Sequence, residues 1–245
     1  MRIPLLDQLL RRLGGGRHAD LEAWEAKHRL TIAEDLRKIF PLLPEAPVFV
    51  DVGANLGLFS EALLAGRPAA RGYLFEPVAE LFERCSERFA GDDRVRIQNF
   101  GLAHEPGTAT IYKARYNPGG NSLVHELMFD KREVSEVVDN PDHVEETVRL
   151  EVFDEFARKE GIERVDFVKT DTEGFDYRVL SGMLGFLATC DPLPVLMCEL
   201  MNEEYHPFWD DQLAVIERLY ELGYKEVDLT GMNKVQDIVF VPEGR

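Results

Sequence analysis

From Pro47 onward, short apolar runs alternate with amphipathic stretches. The runs Val48–Val52, Gly72–Phe75, Val95–Asn99, Val165–Thr170 and Val195–Cys198 have the length and branching of buried strands. Between them, Leu58–Ala65, Val78–Phe89, Phe153–Glu160 and Asp210–Leu222 space their apolar positions as helices do, and a further helix starting near Gly174 turns Val179, Leu180, Met183 and Leu187 inward. Such alternation predicts an α/β fold with a parallel sheet and right-handed crossovers. At the end, Lys225–Leu229 and Asp237–Val241 flank a turn containing Gly231 and are expected to pair antiparallel.

Two stretches depart from this rhythm. Thr108–Arg115 and Val144–Val152 read as strands bracketing a polar segment that contains Asn117, Pro118, Gly119, Gly120, Asn121 and Ser122, an insertion over about 108–150. Insertions of this kind serve as lids or substrate loops, or simply as connections. Its charge-rich part, Asp130 to Glu146, reads as a solvated face. Before Pro44, Leu5, Leu6, Leu9, Leu10 and Leu13 form an apolar stripe that ends at Gly14–Gly16, and a second helix is expected from Ala19 to Phe40. Residues 1–44 are therefore expected to be a helical extension of a domain at 45–245. Capping the ligand site, forming a homo-oligomer and shielding a sheet edge are all compatible with it.

The chemistry begins where the first strand ends. Asp51-Val52-Gly53-Ala54-Asn55-Leu56-Gly57 turns from strand into helix, which brings backbone N–H groups to the strand's carboxyl end. The second strand ends in Glu76, the position from which doubly wound folds bind the hydroxyls of an adenosine ribose. A dinucleotide fingerprint needs G-x-G-x-x-G, whereas here Asn55 and Leu58 stand where the second and third glycines belong, so NAD is disfavoured. S-adenosyl-L-methionine lacks a pyrophosphate and carries an ammonium, which Asp51 is suited to receive directly or through water. Asp51, Gly53, Asn55, Gly57 and Glu76, with Asn99 at the end of the third strand, make up the expected cofactor site.

Composition narrows the partners. A net charge of −17 argues against unaided binding to nucleic acid or to an anionic bilayer. Cys85, Cys190 and Cys198 lack metal-ligand spacing and fit a reducing compartment as buried apolar residues. The first residues do not read as a signal peptide and no apolar run approaches a membrane span, so a cytoplasmic protein is expected. Trp24, Phe208 and Trp209 read as core or interface residues.

A second constellation, VDFVKTDTEGFDYRVLSGM at Val165–Met183, sets Lys169, Asp171 and Glu173 at another strand's carboxyl end. Charges there must pair or meet a ligand. With this element, DVGANLGLFS, FEP, the GNSL segment at Gly120–Leu123 and CEL at Cys198–Leu200, the chain resembles the FkbM-like family of S-adenosylmethionine-dependent methyltransferases over about Val48–Val241. It departs from the family pattern at Thr172, where an aliphatic residue is commoner, and at His104, where a small one is.

The resemblance implies a Rossmann-like class I methyltransferase fold, a mostly parallel seven-stranded sheet with an antiparallel C-terminal hairpin. It also implies methyl transfer to a hydroxyl of a sugar, polyketide or other small-molecule or glycan acceptor. Asp171 is the expected base or orienting group, with Lys169 as counter-charge and Glu173 as rival base; helix capping is the other role open to the acids. Asn121 and Ser122 are expected at the acceptor. Asp171, Glu173 and Glu199 are weak candidates for a divalent cation, which is not favoured, and His104 and His206 are alternative bases. The competing classes are another Rossmann-type enzyme, such as an NAD-dependent oxidoreductase, and a nucleotide-binding module without catalysis.

Overall fold

The computed structural model describes residues 24–113, 120–125, 144–204, 206–227 and 235–244. The leucine stripe at 5–13, the start of the second helix, residues 117–119, most of the acidic run and the Gly231 turn lie outside the described residues.

Seven strands form the main sheet. In spatial order they are β3 (Val95–Gln98), β2 (Arg71–Phe75), β1 (Val48–Val52), β7 (Phe167–Thr170), β8 (Val195–Met201), β10 (Val235–Pro242) and β9 (Tyr224–Val227). The first five run parallel, while β10 lies antiparallel between β8 and β9. This is the Rossmann-like class I methyltransferase arrangement. Strand β8 runs three residues beyond the expected Cys198, which brings Glu199 into the sheet, and β7 starts at Phe167 rather than Val165.

Period-two alternation distributes the strand side chains between two cores. Val50, Val52, Val168 and Leu196 face Phe153, Phe156, Leu180 and Leu219 on one side. Phe49, Phe167, Val195 and Met197 face the other, where the helix at 24–39 (α1) supplies Leu36 and Ile39 and the helix Leu58–Gly66 (α2) supplies Phe59 and Leu63. Full burial of such a side chain contributes about 1.5–3 kcal/mol relative to exposure, so both faces are firmly covered.

The interruption in the rhythm is a second sheet. Strands β4 (Gly101–Leu102), β5 (Gly107–Lys113) and β6 (Val144–Glu151) pair in the order β4-β6-β5, with β5 antiparallel to β6 from Gly107↔Leu150 to Lys113↔Val144. Its Ile111, Val148 and Leu150 join Leu56, Leu58 and Leu81 in a third apolar cluster beside the glycine turn. The insertion therefore adjoins the carboxyl ends of β1 and β2. Because β1 has β2 on one side and β7 on the other, the chain leaving β1 opens the crevice where ligands of open α/β sheets bind.

Candidate active site

After β1 the backbone turns through Gly53 (φ 75), Asn55 (φ 52) and Gly57 (φ 76) into α2. The amides of Gly53 and Ala54 both donate to the Phe75 carbonyl at 3.0 Å, and that of Asn55 donates to Glu76 Oε2 at 2.8 Å. Glu76 Oε1 accepts from the Val78 amide at 2.8 Å. One carboxylate thus staples the turn after β1 to the turn after β2. Burial pushes Glu76 up to about 7, against the pull of those two amide bonds in the opposite direction.

The two glycines do different work. A Cβ on Gly53 would lie 2.0 Å from the Asp171 carbonyl oxygen, so only glycine lets the turn touch the loop after β7. A Cβ on Gly57 would lie 2.7 Å from the Phe89 ring and 2.9 Å from Cys85 Sγ, against the helix Ala79–Arg88 (α3). Gly57 is thereby a packing residue; it does not line the cavity.

Beneath this turn lies a buried charge pair. Register places Asp51 beside Lys169, and with Phe49 and Phe167 facing α2 the alternation sends both charged side chains to the same side. Asp51 is 0% exposed; its Oδ2 accepts from Ser60 Oγ at 2.6 Å and its Oδ1 lies 3.5 Å from Lys169 Nζ. Lys169 Nζ lies 3.1 Å from Asp171 Oδ2 and 5.5 Å from the centre of the Phe59 ring.

The loop after β7 collects acids. Glu173 is left-handed at φ 53 and Gly174 follows at φ 87. Buried Asp176 accepts from the Thr172 amide at 3.2 Å and from the Thr172 hydroxyl at 2.7 Å. Thr172, the departure from the family pattern, is therefore used to brace the turn. Burial raises Asp176 to about 6 despite those bonds. Burial also raises Glu173, and the charges of Asp171 and Asp176 push it in the same direction. One oxygen each of Asp171, Glu173 and Glu199 come within 4.8 Å of one another.

Both constellations wall a single cavity of about 320 Å³. Gly53, Asn55 and Glu76 line one part, and Lys169, Asp171, Glu173 and Glu199 another. Helix α1 contributes Trp24, His28, Ile32 and Asp35, and the insertion contributes Ile111, Asn121 and Leu123. The Trp24 and His28 rings stack at 3.7 Å, and Trp24 packs against the third apolar cluster and also lines the cavity. Among the roles open to the second N-terminal helix, residues 24–39 wall the site, and Leu36 and Ile39 join the core on one face of the sheet instead of shielding an edge.

Several expected site residues lie elsewhere. Asp51 is sealed under the floor and reaches the cavity only through Lys169. Asn99 braces the β2 turn, its Nδ2 donating to the carbonyls of Glu76 at 3.0 Å and Pro77 at 3.2 Å, and is not a lining residue. Ser122 is 2% exposed; its hydroxyl donates to the Glu173 carbonyl at 2.7 Å and accepts from the Val124 amide at 2.9 Å, so it ties two loops together beneath the surface. His104 pairs with Arg178 at 2.9 Å away from the cavity wall, and His206 is buried with both ring nitrogens on backbone groups. Neither histidine is placed to act as a base.

Chemically, the arrangement offers a glycine turn held in shape by its own bonds and an acid at one end, and a cluster of acids with one ammonium at the other. That suits holding a cationic donor and taking a proton from an acceptor. None of the described helices is long and apolar enough to cross a membrane.

A family profile described as the methyltransferase FkbM domain matches residues 51–226. Methyltransferase sdnD of Sordaria araneosa is 29% identical over 160 residues, covering 58% of this chain and 62% of its own. 2-O-methyltransferase NoeI of Sinorhizobium fredii is 29% identical over 155 residues, covering 60% of this chain and 61% of its own. The matches thus span about three fifths of these relatives' length. A solved structure of a putative rRNA-methylase from Clostridium thermocellum aligns with 86% of this chain and 92% of its own, at 11% identity and a TM-score of 0.48.

Proposed function

This chain belongs to the FkbM methyltransferase family, and on that premise we propose that it transfers the methyl group of S-adenosyl-L-methionine to a hydroxyl of a neutral small-molecule or glycan acceptor. The observation that supports this most directly is the joining of the two strand-end constellations in one cavity: Gly53, Asn55 and Glu76 for the nucleoside, and Asp171, Glu173 and Lys169 for the reacting end. A sulfonium donor needs the acceptor oxygen in line with the methyl and a group to receive the hydroxyl proton. Asp171 is the leading candidate for that proton, with Lys169 holding its charge in place, and Glu173 is the rival. Asn121 is assigned to the acceptor side, because it enters the cavity from the insertion.

The acid-rich wall favours a neutral or cationic acceptor over a phosphate or carboxylate, since Lys169 is the one lysine or arginine among the described lining residues. Lys169 also supplies positive charge beside Asp171 without a divalent cation. Calorimetric titration with S-adenosylmethionine and with NAD separates the proposal from an oxidoreductase: saturable binding of the first and none of the second is expected. Release of S-adenosylhomocysteine with a panel of hydroxylated acceptors separates it from a non-catalytic module. Binding of NAD alone, or no methyl transfer to any acceptor, would count against it.

A further inference from the structure

The sequence offers His206 as a base, and the fold gives it a different setting. His206 follows β8, the strand that carries Glu199; the residue is 4% exposed and its ring lies edge-on to Tyr177 at 5.2 Å and 89°. The Phe208 amide donates to Nδ1 at 3.0 Å, which leaves the ring proton on Nε2. From there Nε2 donates to the Gly174 carbonyl at 3.0 Å. The loop after β8 is thereby fastened to the loop after β7.

We propose that His206 is a positioning residue: it fixes the Gly174 carbonyl and so holds Glu173 left-handed, with its carboxyl in the cavity. Ser122 fastens the neighbouring Glu173 carbonyl, its hydroxyl donating at 2.7 Å. Two consecutive carbonyls are thus held by side chains from two separate parts of the chain. Backbone at φ 53 is rarely adopted by a residue with a Cβ and persists where its surroundings impose it. Releasing the Gly174 carbonyl frees the peptide to relax and carries the Glu173 carboxyl away from Asp171 and Glu199. The consequence for catalysis rests on the acceptor-site reading given above, whereas the consequence for the loop does not.

Two substitutions separate the two bonds of the ring. His206→Asn keeps an acceptor near the Nδ1 position for the Phe208 amide but stops short of Gly174, whereas His206→Gln extends an amide N–H to the place of Nε2. Amide hydrogen exchange of residues 172–176 is expected to quicken at least tenfold in His206→Asn and to return to the native rate in His206→Gln, with β1 exchange equal in all three proteins. Release of S-adenosylhomocysteine with the acceptor panel is expected to fall tenfold or more in His206→Asn and to recover in His206→Gln, while S-adenosylmethionine affinity stays constant. Unchanged exchange at 172–176 in His206→Asn would overturn the proposal. So would equal loosening of the whole domain in both variants, or failure of both to fold, since these mark a general core role. If only His206→Asn fails to fold, native exchange at 172–176 in His206→Gln supports the proposal and faster exchange there overturns it. Absence of methyl transfer by the native protein with the exchange difference intact would remove the acceptor reading and leave the loop assignment standing.

Discussion

The turn after β1 and the turn after β7 touch each other at Gly53 and Asp171, yet they are built on opposite principles. In the first, amides of Gly53, Ala54 and Asn55 are satisfied by the Phe75 carbonyl and the Glu76 carboxylate, so the turn's donors are paired within the protein itself. In the second, Asp171, Glu173 and Asp176 crowd like charges together, and burial raises the two more enclosed ones. A region of settled backbone bonds suits recognition of an unchanging nucleoside. A region of unsettled charge suits a step in which a proton must move. The difference teaches that the shared position at strand ends sets where chemistry happens, while the partners of each carboxylate set which part of it.

The contact between the turns is where this contrast breaks most completely. Gly53→Val forces a side chain to within 2.0 Å of the Asp171 carbonyl oxygen at φ 75, so both turns must move. Calorimetry is expected to show no saturable S-adenosylmethionine binding, and normal affinity would mean that the two turns do not form one site. Next in size is Asp171→Asn, which keeps the shape but removes the basic oxygen. Turnover is expected to fall by about a hundredfold with cofactor affinity unchanged. A larger loss in Glu173→Gln than in Asp171→Asn would transfer the proton to Glu173.

Glu76 sharpens the comparison from the other side, because it is an acid put to structural use. At pH 8, where Glu76 is ionised, Glu76→Ala removes a charge-assisted acceptor worth about 1.5–3 kcal/mol and is expected to weaken S-adenosylmethionine binding by roughly ten- to a hundredfold. Glu76→Gln retains one carbonyl oxygen for the amides of Asn55 or Val78 and should lose less. Equal affinity in all three proteins would show that Glu76 serves the turn alone.

The smallest effect is on stability against pH. Glu76, raised to about 7, and Asp176, raised to about 6, keep protons in the folded state above the pH at which the unfolded chain releases them, and Glu173 is raised as well. Their contribution is fully present below about pH 4 and is lost as pH rises through about 6 and 7, so this part of the stability falls with rising pH. Calorimetric melting is expected a few degrees lower at pH 8 than at pH 5.5, at roughly 2–4 °C per kcal/mol for a domain of this size. Glu173→Gln should flatten the slope, and an unchanged slope would place Glu173 in water.

Although it merged the helices Asp176–Ser181 and Leu184–Leu187 into one and missed β4, sequence alone determined most of the strands and helices, the parallel character of the sheet and the two strand-end motifs. Each of these is local: period-two and helical spacing are set by residues that are neighbours in the chain, and a glycine turn after an apolar run reads the same wherever it folds. Glu76 and Asp171 were legible as cavity residues for the same reason. The tertiary structure decided what each polar group meets. Asp51 sinks beneath the floor because β1 pairs with β7 and Ser60 comes down from α2. Ser122, Asn99 and His206 become braces because carbonyls distant in sequence arrive beside them. Trp24 and Asp35 reach the cavity because α1 packs over α2 and the sheet, a placement set by Leu36 and Ile39. Hydrogen-bond and ion-pair partners depend on which strands lie side by side, and a hydrophobic pattern specifies which face is buried without naming what will bury it.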